Sequence, residues 1–413
     1  MPAIHTNARL FRPEVSFSAL PPLSLYVHIP WCVRKCPYCD FNSHEMRKPD
    51  GSATQVHALE PELETRYGEA LMVDLEHALP QIWGRRVSSV FFGGGTPSLL
   101  SPAALDRILS GIRARVPLDP GAEVTLEANP GTFEAEKFAQ FRALGINRLS
   151  IGIQSFNPQH LHALGRIHDD EQARRAVEIA CDNFENINLD LMYALPGQTL
   201  LEAEADICTA VDFAPAHISA YHLTIEPNTY FARFPPAVPD DDLAHEMQEM
   251  VERTLCESGY LHYETSAFAR PEYRCRHNLN YWLFGDYLGV GAGAHSKLSF
   301  ADRIVRQMRW KNPRDYLANA AAGRPVQTDE VVSAQDVPLE FMMNALRLIE
   351  GFDTSLFAER TGLPLTTVLR ALDQAEEDGL IVRDHAKIAP TPRGQRFLND
   401  LLQIFMPEER VNE

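Results

Sequence analysis

Six short apolar runs recur along the first half of the chain, each followed by a different kind of segment, and this alternation most constrains the fold. The runs are LSLYVHI (23–29), VSSVFF (87–92), EVTLEA (123–128), RLSIGI (148–153), INLDLM (187–192) and HISAYHLT (217–224). Stretches of helical character lie near 61–80, 102–115, 134–143, 170–183 and 200–213. Strands alternating with helices form parallel βα units. Largely apolar strand runs suit a parallel sheet covered by helices. The expected fold is α/β, a partial (β/α)6 TIM-like barrel with a small C-terminal helical domain resembling a winged helix.

Each run ends in something chemically distinctive. The first leads into Cys32, Cys36 and Cys39, and the second into GGGTP (93–97). The third ends at Glu127 and Asn129, and the fourth at Gln154. The fifth carries Asp190 before YALPGQT, and the sixth ends at Thr224 and Glu226. In α/β barrels the C-terminal strand ends carry the active site, so these groups are expected to converge on one mouth.

The remaining chain divides by composition. Residues 1–22 read as an irregular lead-in and 23–235 as the barrel. The Pro- and acid-rich IEPNTYFARFPPAVPDDD (225–242) breaks the alternation. Residues 236–330 read as a connecting region with a helix near 243–258, and 331–413 as the winged-helix-like domain. The segment 45–66 reads as a polar loop without an assigned role.

Charge narrows the partners. The 413 residues carry a formal net charge of −18, which argues against nucleic acid as a partner. Within 335–413 there are 8 basic and 14 acidic residues, so the winged-helix-like domain is expected to have a structural or protein-contact role. No apolar run approaches the ~20 residues of a membrane span, and no secretory leader is visible. Seven cysteines, only three of them clustered, do not form a disulfide framework. A reducing cytoplasm is expected, and the charge fits a monomer or dimer equally.

The cluster Cys32-x-x-x-Cys36-x-x-Cys39 supplies soft thiolates suited to iron–sulfur clusters or zinc. Three cysteines on one loop can hold three irons of a [4Fe-4S] cube and leave the fourth iron open. The alternatives are zinc completed by His28 or His44, or unrelated cysteines. No second CxxC or HxxxH pair is present for zinc. GVGAGAHS (289–296) is not GxGxxG in a βαβ setting, and no GxxxxGK[ST] occurs, so neither a dinucleotide fingerprint nor a P-loop is expected.

CxxxCxxC with Tyr38 before the last cysteine resembles the signature of radical S-adenosylmethionine (SAM) enzymes, and GGGTP resembles their second motif. YVHIPWCVRKCPYCDF, LEANPG, GIQSF, LGR, LDLMYALPGQT and HNLNYW (277–282) are similar to the oxygen-independent coproporphyrinogen III oxidases and their relatives, the haem chaperones, over about residues 23–400. The resemblance implies a [4Fe-4S] cluster on Cys32, Cys36 and Cys39. An open iron then chelates SAM, and one electron cleaves it to a 5′-deoxyadenosyl radical. It implies SAM contacts at Tyr26, Tyr38, Gly94, Gly95, Thr96, Glu127, Gln154, Arg166 and Asp190, with Thr224 aligning less securely. Each carboxylate, taken singly, also suits a solvated or capping role.

Two departures separate the relatives. The oxidases carry a fourth cysteine where this chain has Phe41, and a longer N-terminal segment. Both argue against coproporphyrinogen decarboxylation and for haem as cargo, delivered to haem-accepting proteins, with an electron donor serving the cluster. The HNxxYW motif points the same way. If the segment is helical, His277 and Tyr281 share one face with Trp282 beside them and could meet a porphyrin, with His277 a natural axial ligand. A packed core histidine is the plain alternative, and Cys275 is a weaker ligand candidate. The competing function is the oxidase itself. A zinc-bearing transcription factor is disfavoured by the acidic C-terminal domain.

Overall fold

The computed structural model describes residues 14–46, 58–132 and 135–407. Residues 1–13 of the lead-in, 47–57 of the polar segment, residue 134 of the expected helix at 134–143 and residues 408–413 of the C-terminal segment lie outside the described residues.

The six runs form strands β1 (Leu23–Ile29), β2 (Val87–Gly94), β3 (Leu118–Ala128), β4 (Arg148–Gln154), β5 (Ile187–Tyr193) and β6 (His217–His222). They lie side by side in sequence order and all parallel. The crossovers are helices α1 (Pro61–Ala78), α2 (Pro102–Arg115), α3 (Ala135–Leu144), α4 (Asp170–Asn183) and α5 (Leu200–Asp212). Their starts are set locally. Ser101 accepts from the Ala104 N–H, and Asp169/Gln172 and Thr199/Glu202 form capping boxes.

Within each strand the residues alternate, and this alternation shapes the site. Leu25, Val27, Val90, Phe92, Leu126, Ile151, Leu189 and Ile218 face the helices and are at most 1% exposed. Each such burial contributes about 1.5–3 kcal/mol. The intervening residues face the inside of the curved sheet and many are polar: Ser24, Ser89, Glu123, Thr125, Arg148, Ser150, Asn188, Asp190 and Ser219, with Tyr26, Phe91, Met192 and Tyr221 among them. A TIM barrel fills its interior with aliphatic layers. The lumen here instead mixes charged and polar side chains with aromatic ones.

The region after the barrel extends the same sheet. Strands β7 (Leu261–Glu264) and β8 (Ala267–Ala269) add antiparallel beyond β6. On the other edge β9 (Asp286–Val290) pairs parallel with β1, and β10 (His295–Ser299), β11 (Ile304–Arg309) and β12 (Val326–Val331) continue antiparallel. The result is one 12-stranded sheet. Residues 236–330, which read as a connection, thus supply six strands, because strand pairing over such separations leaves no local signature. The segment also contains α6 (Asp241–Glu257) and a short helix, α7 (Arg276–Trp282).

GVGAGAHS forms the turn from β9 to β10 and props the cysteine loop. Gly291 N donates to Asp74 Oδ2 at 3.0 Å, Ala292 N to Tyr67 Oη at 2.9 Å, and Asn42 Nδ2 to the Ala292 carbonyl at 2.9 Å. Asp74 is held in turn by Arg309 at 3.1 Å, both fully buried.

The C-terminal part has its own apolar core. Helices α8 (Val337–Ala345), α9 (Thr354–Thr361) and α10 (Leu369–Glu377) pack around Phe341 and Phe357 beside a small antiparallel sheet of Phe352–Asp353, Ile381–Arg383 and Lys387–Pro390. Helices beside the Ile381–Arg383 and Lys387–Pro390 hairpin make the winged-helix-like arrangement expected of this part of the chain. Phe284, just after α7, inserts edge-on against Phe341 with ring centres 5.7 Å apart.

Candidate functional site

One cavity of about 640 Å³ runs from the C-terminal strand ends down the lumen to α7. The residues expected to hold the cluster, SAM and haem all line it, from the three cysteines through Glu127, Gln154, Arg166 and Asp190 to His277, Tyr281 and Trp282, while His28 and His44 line a neighbouring pocket. Thr224 and Cys275 line it too. The volume is in the range of small-molecule and cofactor sites.

At the upper end the cysteines sit on the loop after β1, all with free thiols and partly buried. Each sulfur has a different neighbour. Thr96 Oγ1 donates to Cys32 Sγ, Arg166 Nη1 donates to Cys36 Sγ, and Ser43 Oγ pairs with Cys39 Sγ, each at 3.6 Å. Hydrogen bonds of this kind tune metal-bound thiolates. Burial pushes the Cys32 thiol up to about 11 and raises Cys39 as well, so metal binding here must expel protons. His28 is not available as a fourth ligand. Tyr26 Oη lies 3.0 Å from its Nδ1, and its Nε2 lies 3.0 Å from the Asn42 carbonyl. Burial lowers His28 to about 4, so the ring is neutral, accepting from Tyr26 and donating to Asn42. Among the described residues no three His, Cys, Asp or Glu side chains are grouped as one ion would need. A cube, with one iron per cysteine, does not need such convergence.

Below the cysteines lies a shelf built from strand ends. Gly94 has φ +113°, and a Cβ there would strike the His28 ring. A Cβ on Gly95 would lie 2.5 Å from the Trp31 carbonyl oxygen. Only glycine lets this turn lie so close to the cysteine loop. Gly94 N donates to Glu127 Oε2 at 3.0 Å, and Asn129 Nδ2 donates to Thr96 Oγ1 at 2.9 Å. Arg166 donates to Asn129 Oδ1 and to the Gly152 carbonyl, both at 2.6 Å. Gln154 ends β4 at φ 69° beside a register shift, a strained conformation for a side-chain-bearing residue and typical of functional sites. Glu127 is pushed up to about 8, first by burial and then by Asp190. Asp190 is also raised by burial, opposed by hydrogen bonds from Ser150 and Asn188 at 2.8 Å each. A pair of buried carboxyls so placed is ready to receive a cation.

At the lower end α7 closes the lumen. Glu123 caps the helix: Arg276 N donates to Oε2 at 3.1 Å and His277 N to Oε1 at 3.0 Å. His277 is 2% exposed. Its Nδ1 lies 2.9 Å from Ser89 Oγ, whose own proton goes to Ser24 Oγ at 2.8 Å. Nδ1 therefore carries the ring proton, and Nε2 carries a lone pair. That Nε2 is buried with no hydrogen-bond partner. Burial, with help from the Arg148 charge, lowers His277 to about 3, so the ring is neutral. Phe91 stacks on it at 4.8 Å and Tyr281 meets it edge-on at 5.1 Å. Trp282 lies under the Arg347 guanidinium, 4.4 Å from its ring centre. Cys275 does not present a thiolate. Its thiol points to Glu123 Oε1 at 3.6 Å, and burial pushes it up to about 12.

A radical SAM superfamily model matches residues 26–207, and a HemN C-terminal domain model matches residues 332–397. The chain is 46% identical over 393 residues to "Heme chaperone HemW" of Escherichia coli, covering 94% of this chain and 99% of that protein. The chain belongs to the HemW family of the radical SAM superfamily. It is 34% identical to the Mycobacterium tuberculosis protein of the same name over 395 residues, covering 93% of this chain and 95% of that one. The solved structure of E. coli coproporphyrinogen III oxidase (HemN) superposes with a TM-score of 0.77 at 24% identity, covering 94% of this chain and 90% of that one. That likeness establishes the shared fold.

Membership of a radical SAM family implies a [4Fe-4S] cluster and SAM. The donor set fits: three thiols on one loop, each with its own hydrogen-bond neighbour, beside a glycine shelf and paired carboxyls. Sequence reasoning missed the residues between the two ends. Arg148, Ser150, Asn188 and Ser219 all line the cavity. His217, behind them, bridges Asn188 Oδ1 at 2.6 Å and Tyr263 Oη at 2.8 Å. Their signal was the period-two alternation inside the strands, visible in RLSIGI, INLDLM and HISAYH.

Proposed function

We propose that the chain carries haem at α7 and passes it to haem-accepting proteins in the cytoplasm, under control of a cluster and SAM bound at the other end of the same cavity. The observation that carries this reading is the buried, unpartnered Nε2 of neutral His277, in a cavity continuous with the cysteine loop. An imidazole lone pair without a hydrogen bond is costly unless something binds it, and imidazole is a haem-iron ligand. Nε2 is buried, so ligation requires neighbouring side chains to give way, while Phe91 stays stacked on the ring face.

In this reading Cys32, Cys36 and Cys39 hold the cluster. When bound, it supplies one-electron chemistry and an open iron for the SAM amino acid group. Tyr26 and Tyr38 flank SAM, and Gly94, Gly95 and Thr96 offer it backbone. Glu127, Gln154, Arg166 and Asp190 orient its polar groups. Thr96 and Arg166 donate to Cys32 and Cys36, and Ser43 pairs with Cys39. Tyr281 and Trp282 add aromatic surface to the haem end. An electron donor and the acceptors meet the protein from outside.

The test is a haem titration of the cluster-loaded protein under nitrogen, read by the Soret band, beside an assay with coproporphyrinogen III, SAM and reductant. One haem per chain, lost in His277→Ala and transferable to an apo-haemoprotein, is the expected result. Protoporphyrinogen formed over many turnovers would overturn it and make the chain a decarboxylase.

A further inference from the structure

The lumen holds a buried cation whose hydrogen bonds are not made. Arg148 opens β4, is 2% exposed and lines the cavity. Among the described residues its guanidinium makes no hydrogen bond, and its Nε is buried with no partner. Its ion-pair partner Glu123 keeps an oxygen 3.9 Å from Nε, beyond hydrogen-bond reach. Glu123 cannot come closer without releasing α7, because both its oxygens are engaged by Arg276 N and His277 N.

Arg309 and Arg166 also leave one buried nitrogen without a hydrogen bond, Nη2 and Nε respectively, but their other nitrogens are engaged. Arg309, fully buried, donates to Asp74, Ser296 and Gln307. Arg166 donates to Asn129, Gly152 and Cys36. A guanidinium presents five donors in a planar fork, and burying those donors without hydrogen bonds is unfavourable even beside a counter-charge. The fork matches a carboxylate held through two parallel hydrogen bonds. Arg148 and His277 also share one neighbour: Glu123 touches the backbone of the histidine and faces the arginine. A ligand gripped by His277 therefore has a carboxylate receptor beside it.

We propose that Arg148 binds a carboxylate of the cargo, one propionate of the tetrapyrrole, and so sets which way the porphyrin lies against α7. This rests on the haem-carrier reading. Arg148 is then a specificity residue: it selects a porphyrin with a free acid side chain over one without.

The experiment compares haem with haem dimethyl ester, both propionates blocked, on full-length cluster-loaded protein. Wild type, Arg148→Lys and Arg148→Met are titrated by absorbance. Wild type is expected to bind haem roughly 10- to 100-fold more tightly than the ester, the worth of a charge-assisted hydrogen-bond pair. Arg148→Met should bind haem as weakly as wild type binds the ester, and should no longer distinguish the two. Arg148→Lys should fall between, since an ammonium lacks the fork. The Soret position should stay that of a histidine complex throughout. Equal affinity of wild type for haem and ester overturns the inference and leaves the haem reading standing. If Arg148→Met fails to fold, this wild-type comparison still decides. A loss of SAM affinity in Arg148→Met with haem affinity unchanged also overturns it, placing the SAM carboxylate on Arg148. Failure of wild type to bind haem overturns the reading beneath it, and the inference with it.

Discussion

The two ends of the lumen are built on opposite principles. At the cysteine end the side chains are tied to one another, with Arg166 Nε and His44 Nε2 left over: each sulfur has a hydrogen-bond partner, Arg166 has three acceptors, and His28 uses both ring nitrogens. At the α7 end the valences are open: His277 Nε2, Arg148 Nε and Trp282 Nε1 are buried without partners. A satisfied network rigidifies, while a partly satisfied one waits for a ligand. The difference suggests a resident cofactor above, in a preformed cradle, and a transient cargo below.

If the ends are independent, breaking one should spare the other. Cys36→Ala is expected to abolish iron and acid-labile sulfide almost completely, while the haem titration keeps its stoichiometry. Metal analysis beside the Soret titration checks this, and a joint loss would mean that one end is assembled by the other. His277→Ala should weaken haem binding roughly 100-fold, about 2.7 kcal/mol, with iron content unchanged.

The pH response separates the ends further. Glu127, at about 8, is mostly protonated at pH 7. The amino group of SAM is cationic there and must lose its proton to ligate the open iron, so binding releases a proton. SAM affinity should therefore rise as pH climbs from 6 to 7.5, by up to about tenfold per unit, and level off as the free α-amino group itself deprotonates. Calorimetry in buffers of different ionisation enthalpy reads the released proton, and the difference between wild type and Glu127→Gln reads the share that comes from Glu127. His277, lowered to about 3, is already neutral over that range, so its ligation of haem should show no such rise. The smallest effect is expected from Thr96→Val. It removes the Oγ donor to Cys32 Sγ and should lower the cluster reduction potential while leaving iron content and haem affinity in place. Spectroelectrochemistry would show the shift.

The two ends also differ in how far they could be read in advance. The cysteine end is written in contiguous motifs, because three ligands of one cluster and a glycine shelf each occupy a few adjacent residues. The six strands and five helices were legible for the same reason: periodicity and caps such as Asp169/Gln172 are local. The α7 end was legible only as HNLNYW. Its supports, Glu123 and Ser89, lie 154 and 188 residues away. Nothing near His277 indicates that its Nδ1 is occupied and its Nε2 open.

The sequence by itself determined that this chain makes parallel βα units with reactive groups at the strand ends, and that three thiolates sit on one loop. Those properties depend on spacing along the chain, which tertiary contacts do not alter. The tertiary structure alone decided that the strands' polar positions face one lumen, that residues 261–331 extend the barrel sheet, and that Arg148 and His277 are neighbours with open valences. Each of these depends on the pairing of distant strands, and a one-residue slip in register would have turned Arg148 and Asn188 outward to the helices.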